Sequence, residues 1–176
     1  MKIAAVVVRW RGGDEIDRCL QSLVTQTGDR LSRIVLVDSG SGDSGAERLA
    51  TAFPEIEVAA LAENRSFAHA ANVGAARSTE DLLFLLNPDT ELEENVVATL
   101  AAALEERPRT AGVVPLLVNP DGSAQHRWQL RRLPTVARLA TGRSGAPAFA
   151  KPPAEATPVE QPAAAAWLVR RDVWRA

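Results

Sequence analysis

The chain opens on an unbroken apolar run, Ile3-Ala4-Ala5-Val6-Val7-Val8, and returns to runs of the same kind at Ile34-Val35-Leu36-Val37 and Leu82-Leu83-Phe84-Leu85-Leu86. None of them alternates polar with apolar, which is the pattern of strands buried on both faces, as in a parallel sheet covered by helices. Between the runs lie segments with apolar residues at helical spacing, such as Ile16, Cys19, Leu20 and Leu23. The order predicted is strand 3–8, helix 14–27, strand 33–38, helix 44–53, strand 56–61, helix 67–76, strand 81–86, helix 93–106 and strand 112–118. This βαβα rhythm predicts an α/β fold with a mostly parallel, Rossmann-like sheet flanked by helices.

Beyond the last of these strands the pattern changes. Asn119-Pro120-Asp121-Gly122 is a turn signal, because proline presets the second position and glycine tolerates a positive φ. From 141 to 162 the chain is rich in Pro, Ala and Gly, with Pro147, Pro152, Pro153, Pro158 and Pro162 and almost no periodicity, and a flexible loop is expected there. Residues 163–170 then read as a strand returning to the domain. The expected organisation is a main domain over 1–140, a flexible loop over 141–163 and a short segment over 164–176.

A length of 176 residues suits one domain with a real core, and 46% hydrophobic with 24% charged residues is the balance of an ordinary soluble protein. The single cysteine, Cys19, excludes an intramolecular disulfide and cannot by itself make a zinc site, so the expected location is cytoplasmic. Its spacing among apolar neighbours assigns it to a buried helix face with no chemistry. The N-terminal apolar run is too short to span a membrane, and Arg9 closes it. Formal net charge is −2, but no acid lies between Asp121 and Glu155, where Arg127, Arg131, Arg132, Arg138, Arg143 and Lys151 all fall. That stretch is suited to face an anion.

In open parallel sheets ligands bind beyond the carboxyl ends of the strands, so acids placed just after a buried strand are the first candidates for chemistry. Asp38 ends the second run and precedes Ser39-Gly40-Ser41-Gly42, whose backbone amides can approach a ligand closely. Asp89 follows the Leu82–Leu86 run in Asn87-Pro88-Asp89-Thr90, a setting for a hard cation such as Mg²⁺ or Mn²⁺ that enters with substrate phosphates. Taken singly, Asp38 is equally a turn acid or helix cap, and Asp89 an Asx-turn beside proline. Gly40-Ser41-Gly42-Asp43-Ser44-Gly45 also matches the G-x-G-x-x-G dinucleotide pattern. It follows the second strand rather than the first, however, and Asp38 would set a carboxylate against a pyrophosphate.

Four segments in order resemble the bacterial family 2 glycosyltransferases, in particular a branch similar to rhamnosyltransferases of cell-wall and O-antigen assembly. They are Cys19-Leu20-Gln21-Ser22-Leu23-x-x-Gln26-Thr27, Val37-Asp38-Ser39-Gly40-Ser41-x-Asp43-Ser44, Asn64-x-x-Phe67-Ala68-x-Ala70-x-Asn72-x-Gly74 and Leu83-Phe84-Leu85-Leu86-Asn87-Pro88-Asp89-Thr90-Glu91-Leu92. A fifth, Leu117-x-Asn119-Pro120-Asp121-Gly122-Ser123-x-Gln125 followed by Arg131-Arg132-x-Pro134-Thr135, fits the same branch. The resemblance implies a GT-A fold and an inverting transfer of a sugar, with rhamnose favoured, from a dTDP- or UDP-sugar to a glycan or lipid-linked acceptor. By it, Asp38 would hold the nucleotide base, Ser39 would belong to the same nucleotide-binding site, and Asn64 with Asn72 would shape the ribose and base pocket. Asp89 would be the surviving acid of a D-x-D metal motif, coordinating Mg²⁺ or Mn²⁺ on the diphosphate. Arg131 and Arg132 would bind a diphosphate as charge-assisted forks, a solvated basic face being the alternative. His69 and His126 receive no role from the resemblance, and Trp128, Trp167 and Trp174 are expected in the core or an interface.

The resemblance is incomplete in three places. Arg9-Trp10-Arg11 stands where the family has a small or polar residue, an aromatic and an asparagine, so an altered nucleotide pocket is expected. Ser66 replaces a common glycine. In the family, a segment like Leu168-Val169-Arg170-Arg171-Asp172-x-Trp174 runs into a Gly-Gly-Phe-Asp stretch and an acidic motif that supplies the general base, which no residue of this sequence matches. Asp172, the nearest acid, is expected to begin a helix. The sequence therefore reads as the donor-binding part of such an enzyme, with a degenerate, non-catalytic nucleotide-sugar or partner-binding domain as the alternative. Nucleic acid is not an expected partner. Peripheral association with the inner face of the membrane and homo-oligomerisation through uncovered apolar surface complete the expectations.

Overall fold

The computed structural model describes residues 1–142 and 145–174, so Arg143 of the basic stretch lies outside the described residues. The chain forms two compact units, Met1–Val113 with Ala165–Ala176, and Val114–Ala164.

The first unit is built on a six-stranded sheet. Its strands are β1 (Ile3–Arg9), β2 (Leu31–Asp38), β3 (Glu57–Ala60), β4 (Leu82–Leu86), β5 (Gly112–Val113) and β8 (Ala166–Arg170), in the spatial order β3-β2-β1-β4-β8-β5. β1 pairs in parallel with β2 and β4, and β2 with β3, while β8 runs antiparallel to β4 and β5. The expected mostly parallel sheet is therefore present, and the strand at 163–170 returns to it. Every residue of β1 and β4 is buried, as their unbroken apolar runs require.

Helices α1 (Glu15–Val24), α2 (Gly45–Ala52), α3 (Phe67–Ala76) and α4 (Val96–Glu105) connect these strands. On one face of the sheet, Ala4, Val6, Val8, Val35, Val37, Leu83 and Leu85 pack with Ala70, Ala71 and Ala75 of α3. α3 lies very close to the sheet at Gly74, where a Cβ would stand 2.4 Å from Val6 Cγ1. The small residues of the third resemblance segment thus serve the approach of helix to strand. Trp167 and Trp174 pack against the same cluster, as expected of core residues.

α4 begins later than the pattern predicted. Asn95 adopts a left-handed φ of 62°, and residues 91–93 lie outside any helix. The predicted strand 112–118 is likewise only Gly112–Val113 in the structure, because Pro115 has no N–H to give a ladder. A short helix α7 (Arg171–Trp174) closes the described chain and contains Asp172. Its buried Arg171 donates to the Glu80 carbonyl, to the Ala75 carbonyl at 3.0 Å and to Ser78 Oγ at 2.5 Å. The guanidinium thereby ties α7 to the turn between α3 and β4.

The second unit contains α5 (His126–Gln129), β6 (Leu130–Arg131), α6 (Val136–Ala140) and β7 (Gln161–Pro162), with β6 and β7 antiparallel. The predicted reversal at 119–122 is present: Gly122 has a φ of 81°, and Val118 bridges Ala124. Gln129, fully buried, donates to the Pro115 carbonyl at 2.6 Å and accepts from the Leu117 amide at 2.9 Å. One side-chain amide thus stands in for a neighbouring strand.

Candidate functional site

β1 leads to β2 and β3 on one side of the sheet and has β4 on the other, so the topological switch point lies between β1 and β4. Ligands of open α/β sheets bind in the crevice at such a point, beyond the strands' carboxyl ends. β2 and β4 are both neighbours of β1, and two strand spacings set their ends about 10 Å apart. Asp38 is the last residue of β2, and Asp89 lies three residues past β4.

Around Asp38 the structure gathers several of the predicted residues. Ser39 is buried, its amide donates to the Arg9 carbonyl at 2.7 Å, and its hydroxyl donates to Asn64 Oδ1 at 3.2 Å. Gly40, at a φ of 68°, lets the loop press on the 63–64 backbone, where a Cβ would meet the Glu63 carbonyl carbon at 2.4 Å. Only glycine fits that conformation and that approach. Asp38, Ser39 and Asn64 therefore form one cluster. Asn72 sits exposed in the second turn of α3, and no hydrogen bond among the described residues joins it to them.

Asp38 is also gripped by a residue that the motifs did not supply. Arg9 ends β1 directly opposite Asp38 in the sheet register and is 4% exposed. Its Nη1 donates to Asp38 Oδ2, and its Nη2 donates to both oxygens of Asp43, at 3.0 and 2.8 Å. The other Asp38 oxygen accepts from the Ser41 amide at 2.8 Å. The Arg9 guanidinium, with the Gly45 amide, holds the Asp43 carboxyl below its ordinary range. The following loop is pinned too: Arg11, in a left-handed conformation, donates its amide to Ser41 Oγ at 2.7 Å and lies over the exposed Trp10 ring. Arg9, the first residue of the Arg9-Trp10-Arg11 departure, thus enters a buried ion pair with Asp38. A charged residue ending a strand otherwise buried on both faces was the available signal.

Asp89 is exposed at the turn after β4, and its carboxylate makes no hydrogen bond or ion pair among the described residues. Those residues contain no group of three or more His, Cys, Asp or Glu side chains placed to hold a metal ion by themselves. One free carboxylate suits a Mg²⁺ or Mn²⁺ ion carried mainly by substrate phosphates, so the residues present fit the implied cation. The turn rests on α1. Cys19 Sγ donates to the Asn87 carbonyl at 3.4 Å, Ser22 Oγ accepts the Leu92 amide at 3.0 Å, and Gln26 donates to the Glu93 carbonyl at 3.1 Å while accepting the Val97 amide at 3.0 Å. Cys19 and Ser22 lie on α1 at i and i+3, and Gln26 continues the spacing at i+7 in the turn just past its end, which was the readable sign of a positioning role. Burial, with the Asp89 charge nearby, pushes the Cys19 thiol up to about 12 and leaves it inert.

The three glycines of the dinucleotide-like pattern have other duties here. Gly40 serves the loop contact, Gly42 supplies a φ of 73°, and Gly45 makes room for Arg9, whose Nη2 lies 2.2 Å from where a Cβ would stand. Ser66, in place of the common glycine, caps α3 by accepting the His69 amide at 3.1 Å. Arg131 and Arg132 belong to the second unit, where the Nε of Arg131 and both ring nitrogens of the buried His126 have no hydrogen-bond partner among the described residues. Trp128, expected in the core or an interface, is exposed at 56%.

A mostly parallel sheet of this order, flanked by helices and with acids beyond its carboxyl edge, is the open α/β framework of a nucleotide-binding fold. The model of Glycosyl transferase family 2 matches residues 5–174, and the chain belongs to that family. The N-acetylglucosaminyl-diphospho-decaprenol L-rhamnosyltransferase of Mycobacterium tuberculosis, in strains CDC 1551 / Oshkosh and ATCC 25618 / H37Rv, is 25% identical over 147 residues, covering 77% of this chain and 47% of the relative. The chain therefore spans about half the length of these curated relatives. Among solved structures, S. aureus TarS 1-349 matches at a TM-score of 0.60 and 18% identity, covering 76% of this chain and 42% of that one. The mannosyltransferase PcManGT from Pyrobaculum calidifontis, in complex with GDP-Man and Mn²⁺, matches at 0.57 and 22%, covering 68% and 36%. These two likenesses establish the GT-A fold. No helix among the described residues is long and apolar enough to cross a membrane.

Proposed function

We propose that this chain forms the donor-binding part of an inverting glycosyltransferase that takes a sugar, rhamnose by preference, from a dTDP- or UDP-linked donor. The acceptor would be a glycan or lipid-linked sugar of cell-wall or surface-polysaccharide assembly, met at the inner face of the membrane. The observation that carries this reading is the placement of Asp38, Ser39 and Asn64 on one side of the switch point and Asp89 on the other. The first group suits a base and ribose, and Asp89 suits a cation on the diphosphate. As the glycosidic bond breaks, negative charge gathers on the departing nucleoside diphosphate, and the cation offsets it. The rhamnosyltransferase relatives favour rhamnose, and the complex of PcManGT with GDP-Man and Mn²⁺ supports a metal-assisted donor site.

Calorimetric titration with dTDP-rhamnose and a UDP-sugar, with and without Mn²⁺, tests the reading. Saturable binding that needs Mn²⁺ and disappears in Asp89→Ala is expected, and binding that is indifferent to both would reject it. A non-catalytic nucleotide-binding domain is the second reading, favoured by the buried Arg9–Asp38 pair. Sugar transfer to an acceptor by the chain itself would eliminate it.

A further inference from the structure

The Arg9 cluster has the construction of a binding site already filled from within. Asp38, 4% exposed, is an acceptor at the carboxyl edge of the sheet, and both of its oxygens are engaged. A guanidinium N–H takes one of them. The accommodation is specific, because Gly45 has an ordinary φ and its lack of a side chain leaves room for the Arg9–Asp43 pair, with Arg9 Nη2 and Cζ 2.2 and 2.5 Å and Asp43 Oδ1 2.8 Å from a would-be Cβ. Asp43 holds the far side of the guanidinium with both carboxylate oxygens, so Arg9 has a second anchor independent of Asp38. Beside it lies an open depression lined by Gly12, Gly13, Asp43, Ser44 and Gly45, which gives the side chain somewhere to go.

We propose that Arg9 is an internal occupant of the nucleobase position: it holds Asp38 in the free protein and must yield that carboxylate before the ring N–H of a pyrimidine nucleotide can reach it. The inference rests on the reading of Asp38 as the residue that receives the base. The exchange is uphill, because a charged guanidinium donor is stronger than a neutral imide N–H. Arg9 therefore weakens pyrimidine binding and sets the selectivity of the site. Asp43 opposes the exchange by fixing the guanidinium where it is.

Calorimetric titration of the wild-type chain, Arg9→Ser and Asp43→Asn with UDP, dTDP and GDP in the presence of Mn²⁺ tests this. The expected result is at least tenfold tighter binding of UDP or dTDP by Arg9→Ser than by the wild type, with a smaller gain in Asp43→Asn. Should Arg9→Ser fail to fold, as judged by circular dichroism, the exposed Asp43→Asn substitution decides by the same sign. Equal affinities in all three proteins would overturn the role of Arg9 and leave the donor site standing. Preferential GDP binding by the wild type that is lost in Arg9→Ser would also overturn it, since Arg9 would then be reading the base. Absence of nucleotide binding in every variant would reject the donor reading together with the inference.

Discussion

Replacing Gly45 by alanine isolates the steric argument for the Arg9 cluster. The backbone at Gly45 accepts any residue, and a first-turn helix position gains slightly from alanine. Against this, the new Cβ would stand 2.2 Å from Arg9 Nη2 and 2.8 Å from Asp43 Oδ1, and ordinary contact requires the guanidinium to retreat by about 1 Å and the carboxylate by about half as much. Bonds of 2.8 and 3.0 Å to Asp43 do not survive such a shift, and the bond to Asp38 is pulled off line. Overpacking at a filled site costs about 2 kcal/mol. Gly42→Ala is the control. It has nothing within 4 Å, so its cost is only the left-handed φ of 73°, about 1 kcal/mol. Urea unfolding of both variants should give the larger loss for Gly45→Ala, and an Arg9→Ser background, which frees the exposed Asp43 side chain to turn away, should remove most of that loss while leaving the Gly42→Ala cost intact. Equal losses for Gly45→Ala in the two backgrounds would refute the claim that Gly45 exists to admit Arg9.

Acid should weaken the fold in a defined window. The Arg48 guanidinium holds Asp17 below its ordinary range, Arg30 does the same to Glu105, and Arg9 to Asp43. Groups depressed by folding contribute stability that is complete above their unfolded values and is lost as pH falls through the folded ones. The urea midpoint should therefore hold between pH 7 and 5 and fall below about pH 4; a midpoint that rises on acidification would contradict these pairings. Cys19 should resist a thiol reagent at pH 8 in the native protein and react fully in denaturant. Rapid native labelling would show that the α1 platform under the Asp89 turn is open.

The strands of the central sheet were legible because runs such as Val6-Val7-Val8 and Leu82–Leu86 have few homes other than a doubly covered sheet. Helix α4 was read too early, since Glu93, Glu94 and Asn95 look helical, yet Ser22 of α1 and Gln26 just past its end hold the Leu92 amide and the Glu93 carbonyl, and Asn95 is left-handed. Strand 112–118 failed at Pro115, and Gln129 took over its backbone partners, a substitution that no local pattern announces. The pieces His126–Gln129 and Val136–Ala140 are too short to carry a period. At the site, Asp38 and Asp89 were visible as acids following buried runs. The Arg9 pairing was not, because only the parallel register of β1 and β2 sets residues 29 apart face to face.

The central claim is that a nucleoside diphosphate and a divalent cation meet at the switch point, with Asp89 holding the cation. Paramagnetic broadening of backbone amide signals by substoichiometric Mn²⁺, in excess dTDP, tests it most directly. Broadening centred on residues 87–92 and extending to 38–41, abolished in Asp89→Ala, is the predicted result. Broadening centred elsewhere, or unchanged in Asp89→Ala, would contradict the account.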